Sequence, residues 1–499
     1  MARREYVSFL GERRRDITFT NRPRDPGGWV LLIAALAAIA ISVWWFGFRE
    51  VDRVVAGERV LNETTIPTLL TPSAIEGGGA ETAEVPLDCS TVVEEWTTFQ
   101  GGAERTGCLN TRPILSPEII WHTEIGILGW RNNPVIEDGA VFVGSAGVLQ
   151  FAPDRRDGIY SIDLGSGKQR WFYTTELDVN SVVVSDGVVI GTGDEGRIWA
   201  LSARDGSLLW SDDLGIGVFA DPLFFEDLAI VGDGDGWITA YDVDTGENKR
   251  QLGRVDGAIR GGLSSDGEHI YVAGENGDML VLNRDGQIVW RVDTDGEGSG
   301  EADARIFAAP TITDSMVILS LVRKGEGGEP ALLALDKEDG TELWRARDAA
   351  GIKLTGWANI RSSPAVAGDY VVYGEGYSQN LVVIDMQTGE TAWSVEIGEF
   401  CFPHWPSPVI NNGVAYLARH DGGLYAVDLA TREIEWQIYL GDADGNGSFP
   451  SNFEDAGFCQ WGPETGYSIL SSPAVSPEGA IIVGTLEGVL IAIGDSDWE

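Results

Sequence analysis

Two short loops place oxygen donors at alternate positions. Residues 442–447 (DADGNG) carry Asp442, Asp444 and Asn446, and residues 293–298 (DTDGEG) carry Asp293, Asp295 and Glu297. Alternating carboxylates and amides followed by glycine suit Ca²⁺, because a hard cation needs several oxygens turned toward one point. Phe453 and Ala304 stand where an EF-hand would carry its twelfth-position carboxylate. An ordinary Asp-Gly turn is the competing reading of both loops. Four cysteines allow three pairings; proximity favours Cys89 with Cys108 and leaves Cys401 with Cys459. With no C-x-x-C among them, disulfides rather than redox chemistry are expected. The four histidines (His122, His269, His404 and His420) form no H-E-x-x-H, and there is no G-x-S-x-G elbow. No catalytic residue is assigned.

The elements that must position these residues are repeats. "GIYSIDLGSGKQRW" ends at Trp171, "RIWALSARDGSLLW" at Trp210, "WITAYDVDTGENKR" at Arg250 and "DMLVLNRDGQIVW" at Trp290. "ALLALDKEDGTELW", "NLVVIDMQTGETAW" and "GLYAVDLATREIEW" follow, ending at Trp344, Trp393 and Trp436, with spacings of 39 to 54 residues. Such periods belong to propeller blades. Short alternating apolar runs, separated by Asp and Gly turns, give about four strands per repeat. An eighth unit, residues 471–495, stops before its tryptophan strand, while residues 116–126 carry Trp121 ahead of the first repeat. The N-terminal strand is therefore expected to complete the last blade and close the ring. The tryptophans, recurring in nearly every unit, are expected to pack blade on blade rather than to do chemistry.

The repeat grammar L-x-A-x-D-x-x-T-G-x-x-x-W, together with "WTTFQGGAERTGC" at 96–108, resembles the pyrroloquinoline quinone (PQQ) propeller superfamily over residues 96–495. The resemblance implies an all-β, eight-bladed propeller of four-stranded antiparallel blades. That superfamily holds quinoprotein dehydrogenases and non-enzymatic scaffolds similar to the propeller lipoprotein of the outer-membrane assembly machinery. Its dehydrogenases commonly carry adjacent cysteines against the quinone. This chain has no Cys-Cys and no C-x-x-C-H. A binding scaffold is the expectation, with PQQ not expected and Ca²⁺ the one candidate cofactor. The alternatives are a PQQ-dependent dehydrogenase and a glycan-binding or sensor propeller.

Loops that enter the innermost strands of a propeller converge on one mouth of its channel, where a ligand site would form. Here they supply Trp130, Arg131, Asn132, Asp178, Asn180, Asp221, Arg260, Arg305, Trp357, Asn359, Arg361, His404, Trp405 and Tyr467. Arginines and tryptophans in such positions can hold a flat anion by charge-assisted bonds and stacking. The competing reading pairs the arginines with Asp178 and Asp221 or with loop carbonyls.

Ahead of the ring, residues 29–48 are twenty uncharged, mostly apolar positions, the length of a membrane-spanning helix. Seven arginines against four acids precede them, which keeps the N-terminus cytoplasmic. Trp44, Trp45 and Phe46 occupy the place of small cleavage-site residues, so a retained anchor is expected rather than a signal peptide. The organisation is then a basic tail at 1–28, an anchor at 29–48, a Thr/Pro/Gly/Glu-rich stalk at 49–88 and an extracytoplasmic propeller at 89–499. A net charge of −42 repels phosphate backbones and excludes nucleic acid as a partner. An envelope protein or a small ligand remains, and one tethered ring can serve as a monomer.

Overall fold

A computed structural model describes Cys89 and residues 95–128, 132–148, 153–294, 304–323, 331–347, 362–374, 380–398, 406–420, 422–440 and 469–495. The tail, anchor and stalk lie outside these residues. Among those described, no helix is long and apolar enough to cross a membrane.

Eight antiparallel sheets stand in chain order. Blades 1 to 7 span residues 135–174, 179–213, 223–254, 259–293, 304–347, 365–396 and 409–439. Blade 8 takes its three inner strands from 474–495 and its outer strand, Pro117–Glu124, from the other end of the repeats. Register runs from Pro117 opposite Asp495 to Glu124 opposite Val489, so the ring closes as the position of Trp121 implies. Blade 7 gains a fifth, parallel strand, Cys108–Leu109. The Cys89–Cys108 disulfide fastens this strand to the start of the domain. Cys401 and Cys459 lie outside the described residues.

Local chemistry shapes each blade. Asp138-Gly139, Asp186-Gly187 and Asn412-Gly413 have positive φ at both residues, as tight hairpins between right-twisted strands require. In the turn before the outer strand, Asp163 Oδ1 accepts from the Ser166 amide (3.0 Å) and hydroxyl (2.7 Å), and Asp242 does the same with Thr245. The D-x-x-T-G motif is therefore a side-chain-closed turn.

The glycine ending that turn receives the tryptophan of the preceding blade. A Cβ on Gly246 would lie 2.6 Å from the Trp210 ring, and one on Gly340 would lie 2.7 Å from Trp290. The indoles of Trp121, Trp171, Trp210, Trp290, Trp344 and Trp436 each donate to a carbonyl of the next blade, at 2.7 to 2.9 Å. Burying one such ring is worth about 4 to 6 kcal/mol as an upper bound. Two interfaces depart from this pattern. In blade 3, Arg250 replaces the indole, and its guanidinium donates to the equivalent carbonyl, Arg284 O, at 2.9 Å. In blade 7, Arg432 holds the glycine position at φ 64°; Trp393 is then only partly buried, and its N–H finds no acceptor among the described residues.

Candidate functional site

The innermost strands line a channel, and one end of it is filled by the chain's own residues 96–109. This segment follows the wall around the ring. The carbonyls of Trp96, Thr97, Ala103, Glu104, Thr106 and Gly107 accept from the amides of Ile136, Val184, Ser265, Ile312, Val366 and Ile410. Those amides belong to the inner strands of blades 1, 2, 4, 5, 6 and 7. Blade 3 is reached by Arg105, which has no exposed surface. Its Nε and Nη2 donate to Leu263 O (3.0 and 2.9 Å), Nη2 also to Pro222 O (3.2 Å), and Nη1 to Phe99 O (2.8 Å) and Thr98 Oγ1. Burial lowers its pKa to about 10, against the opposing pull of Asp221 and Glu104. Gln100 completes the plug by donating to Ser363 O and Pro408 O in blades 6 and 7. Residues 96–109 therefore close the channel at this end.

Beneath the opposite mouth a belt of buried polar groups crosses the blade interfaces. The Ser472 amide donates to Asn133 Oδ1, the Ser407 amide to Ser472 Oγ and the Ser363 amide to Ser407 Oγ. Ser363 Oγ reaches Ala309 O, and Ser264 Oγ reaches Pro310 O. Several residues expected at a ligand site belong to this belt. Asn132 donates to Val179 O, Asn180 to Asp194 Oδ1 and Val218 O, and Asp221 accepts from Ser181 Oγ. These three and Asp178 are all less than a tenth exposed. Their local role is to hold blade to blade, as buried polar groups must be hydrogen-bonded.

Arg260 and Arg305 do reach the mouth. Both turn to one carboxylate: Arg260 Nε lies 2.9 Å from Glu275 Oε2, and Arg305 Nη1 lies 3.1 Å from Glu275 Oε1 and 2.7 Å from Asn276 Oδ1. Glu275 and Asn276 come from the turn between the second and third strands of blade 4, not from a loop entering an inner strand. Arg260 also stacks 4.6 Å from the Phe219 ring centroid. Beside it Arg254 covers Trp237 at 5.2 Å, held by a bond to Asp235 O. Two arginine–aromatic pairs and a shared glutamate thus occupy neighbouring strand ends and loops of blades 3 to 5. Arg260 and Arg305 remain about a quarter exposed, and Arg254 is exposed.

Trp130, Arg131, Trp357, Asn359, Arg361, His404, Trp405 and Tyr467 lie outside the described residues, as do Asp295, Glu297, Asp442, Asp444 and Asn446. Asp293 ends the outer strand of blade 4, opposite Asp278. Among the described residues no group of three or more His, Cys, Asp or Glu is arranged to hold a metal ion.

Comparisons with known proteins place this architecture. Residues 115–253, 234–445 and 381–492 match the family described as outer membrane protein assembly factor BamB. BamB of Yersinia pestis is 25% identical over 331 residues, covering 58% of this chain and 78% of its own. BamB of Salmonella typhimurium is 26% identical over 371 residues, covering 70% and 80%. Among solved structures, BamB from Moraxella catarrhalis matches with a TM-score of 0.56 at 15% identity, over 76% of this chain and 99% of that one. A europium-containing methanol dehydrogenase matches with a TM-score of 0.56 at 15% identity, over 81% and 99%. At such identities the two structures share the fold alone.

Proposed function

Since the chain belongs to the outer membrane protein assembly factor BamB family, we propose that it is a non-enzymatic, protein-binding scaffold of the cell envelope. It would be tethered through residues 29–48 and present the open mouth of its propeller to a protein partner. The observation that carries this reading is the cluster at blades 3 to 5. Arginine and tryptophan are the residue types that dominate binding energy at protein interfaces, and here Arg254 on Trp237 and Arg260 on Phe219 stand together at a half-buried mouth. Their rings and guanidinium planes are already oriented, which lowers the ordering entropy on docking.

Two features speak for a scaffold over a quinone enzyme. A PQQ-type anion would need free guanidinium charge, and Arg260 and Arg305 are both engaged by Glu275. The chain also lacks the adjacent cysteines of the quinoprotein enzymes. The reading is tested by copurification of the tagged full chain from its own membranes, compared quantitatively with Arg254→Glu/Arg260→Glu/Arg305→Glu. One or a few envelope proteins should be retained by the parent and depleted at least about tenfold in the variant, a loss of about 1.4 kcal/mol. Equal recovery by both chains, or calorimetric binding of PQQ by the parent, would end it.

A further inference from the structure

The seam where the ring closes carries two carboxylates turned onto one point. Between the outer strand of blade 8 and the inner strand of blade 1, residues 125–128 are stitched to both blades. Ile125 and Leu128 donate to Gly488 O and Thr485 O of blade 8, Ile127 donates to Gly147 O of blade 1, and Ala146 donates back to Ile127 O. Against Gly147 lie Asp154, from the loop joining the second and third strands of blade 1, and Asp157, which opens the third strand. A Cβ on Gly147 would meet Asp157 Oδ1 at 2.2 Å and Asp154 Oδ2 at 2.3 Å, so oxygens of two carboxylates flank one small volume.

Asp157 has no exposed surface. Its Oδ2 accepts from the Asp154 amide at 2.7 Å, but its Oδ1, also buried, receives no hydrogen bond. Asp154 is fixed by the amides of Val148 and Arg156. The neighbouring cation, Arg156, directs its guanidinium to Ile125 O (3.0 Å) and toward Glu124 (3.6 Å). Buried Ser145 adds a hydroxyl oxygen beside Gly147, accepting from the Gly147 amide at 3.1 Å. A buried carboxylate oxygen without a donor is strongly disfavoured unless a cation or proton meets it. An oxygen-only donor set containing two carboxylates is what Ca²⁺ takes, with water filling the remaining positions.

We propose that Asp154 and Asp157 bind one calcium ion against Gly147, where the chain enters blade 1 from blade 8. The ion would brace the turn of blade 1 around Gly147, whose carbonyl accepts from the Ile127 amide of the segment leading in from blade 8. The site uses none of the residues of the 293–297 and 442–446 loops or of the mouth cluster.

The test uses the purified full chain in detergent, stripped with a chelator. Two readouts are followed: Tb³⁺ luminescence, sensitised through nearby Tyr160, and the unfolding temperature with and without Ca²⁺. The expected result is luminescence displaced by Ca²⁺ and a calcium-dependent rise in unfolding temperature, both falling at least about tenfold in affinity in Asp157→Asn. Asp154→Asn, at a half-buried position, gives the same loss if Asp157→Asn fails to fold. Asp293→Asn and Asp442→Asn should retain both signals. No effect of Ca²⁺ on the parent, or an undiminished effect in the two seam variants, overturns the proposal; the seam carboxylates would then share a proton instead.

Discussion

Replacing Arg105 with methionine tests whether the plug is bolted by its guanidinium. The substitution keeps the unbranched bulk but leaves Leu263 O, Pro222 O and Thr98 Oγ1 without the guanidinium donor they accept from, while Phe99 O keeps only the Thr98 hydroxyl. Each buried acceptor left without a donor costs about 1 to 3 kcal/mol. Against this stands relief from a buried cation. Its pKa, lowered from 12.5 to about 10 by burial, corresponds to about 3 kcal/mol. Three such acceptors forfeit about 3 to 9 kcal/mol, which less about 3 leaves about 0 to 6 kcal/mol, and the usual cost of breaking a buried charged network, about 3 to 5 kcal/mol, falls inside that range and is the loss expected. With about 2.1 cal/mol/K of unfolding entropy per residue over roughly 400 residues, the unfolding temperature should fall by about 4 to 6 °C. Arg105→Lys keeps the charge but not the planar fork, and should lose about half as much. Thermal unfolding followed by tryptophan fluorescence reads the effect, with Arg260→Met as a partly exposed control that shifts little. An Arg105→Met chain as stable as the parent would refute the reasoning, because the carbonyls would then not depend on this donor.

Two other substitutions probe the docking and burial arguments. Arg432→Gly removes a left-handed non-glycine residue and opens room for the Trp393 indole, so it should stabilise the domain by about 1 kcal/mol in urea unfolding; a loss of stability would contradict the glycine-docking rule. His420 is buried and its pKa is lowered to about 4 by desolvation. The unfolded chain therefore binds more protons between about pH 6.5 and 4, and the folded state loses stability as pH falls through that window. The stability advantage of the parent over His420→Gln should shrink from pH 7 to pH 4, and a difference that stays flat would show that His420 is not held neutral.

The ring was legible because its determinants are local and repeated. Asp, Gly and Trp at fixed offsets encode a turn and a docking ring within one repeat, and Trp121 ahead of the first repeat exposed the closure. Even Arg250, which breaks the pattern, marked the position where a side chain donates to the next blade. The plug was not legible, since residues 96–109 are held through their own backbone carbonyls by amides up to some three hundred residues away, and carbonyls leave no pattern in residue types. At the mouth, the surroundings of single polar residues are not written in the sequence. Asn180 and Asp221 are polar loop residues that the ring buries, and Glu275, which organises the arginines, sits in the other set of loops. The seam carboxylates escaped notice because Asp154 and Asp157 are spaced three apart and converge only when Gly147 folds against them.

The most direct test of the scaffold reading is photo-cross-linking in intact cells from a reactive side chain at Asp235, exposed beside Trp237 and Arg254, compared with one at Leu209 on the outer strand of blade 2. A discrete adduct with an envelope protein from position 235, absent from position 209 and lost when Arg254, Arg260 and Arg305 are reversed to glutamate, is the predicted result. No adduct from position 235, or the same adduct from both positions whether or not the arginines are present, would contradict it.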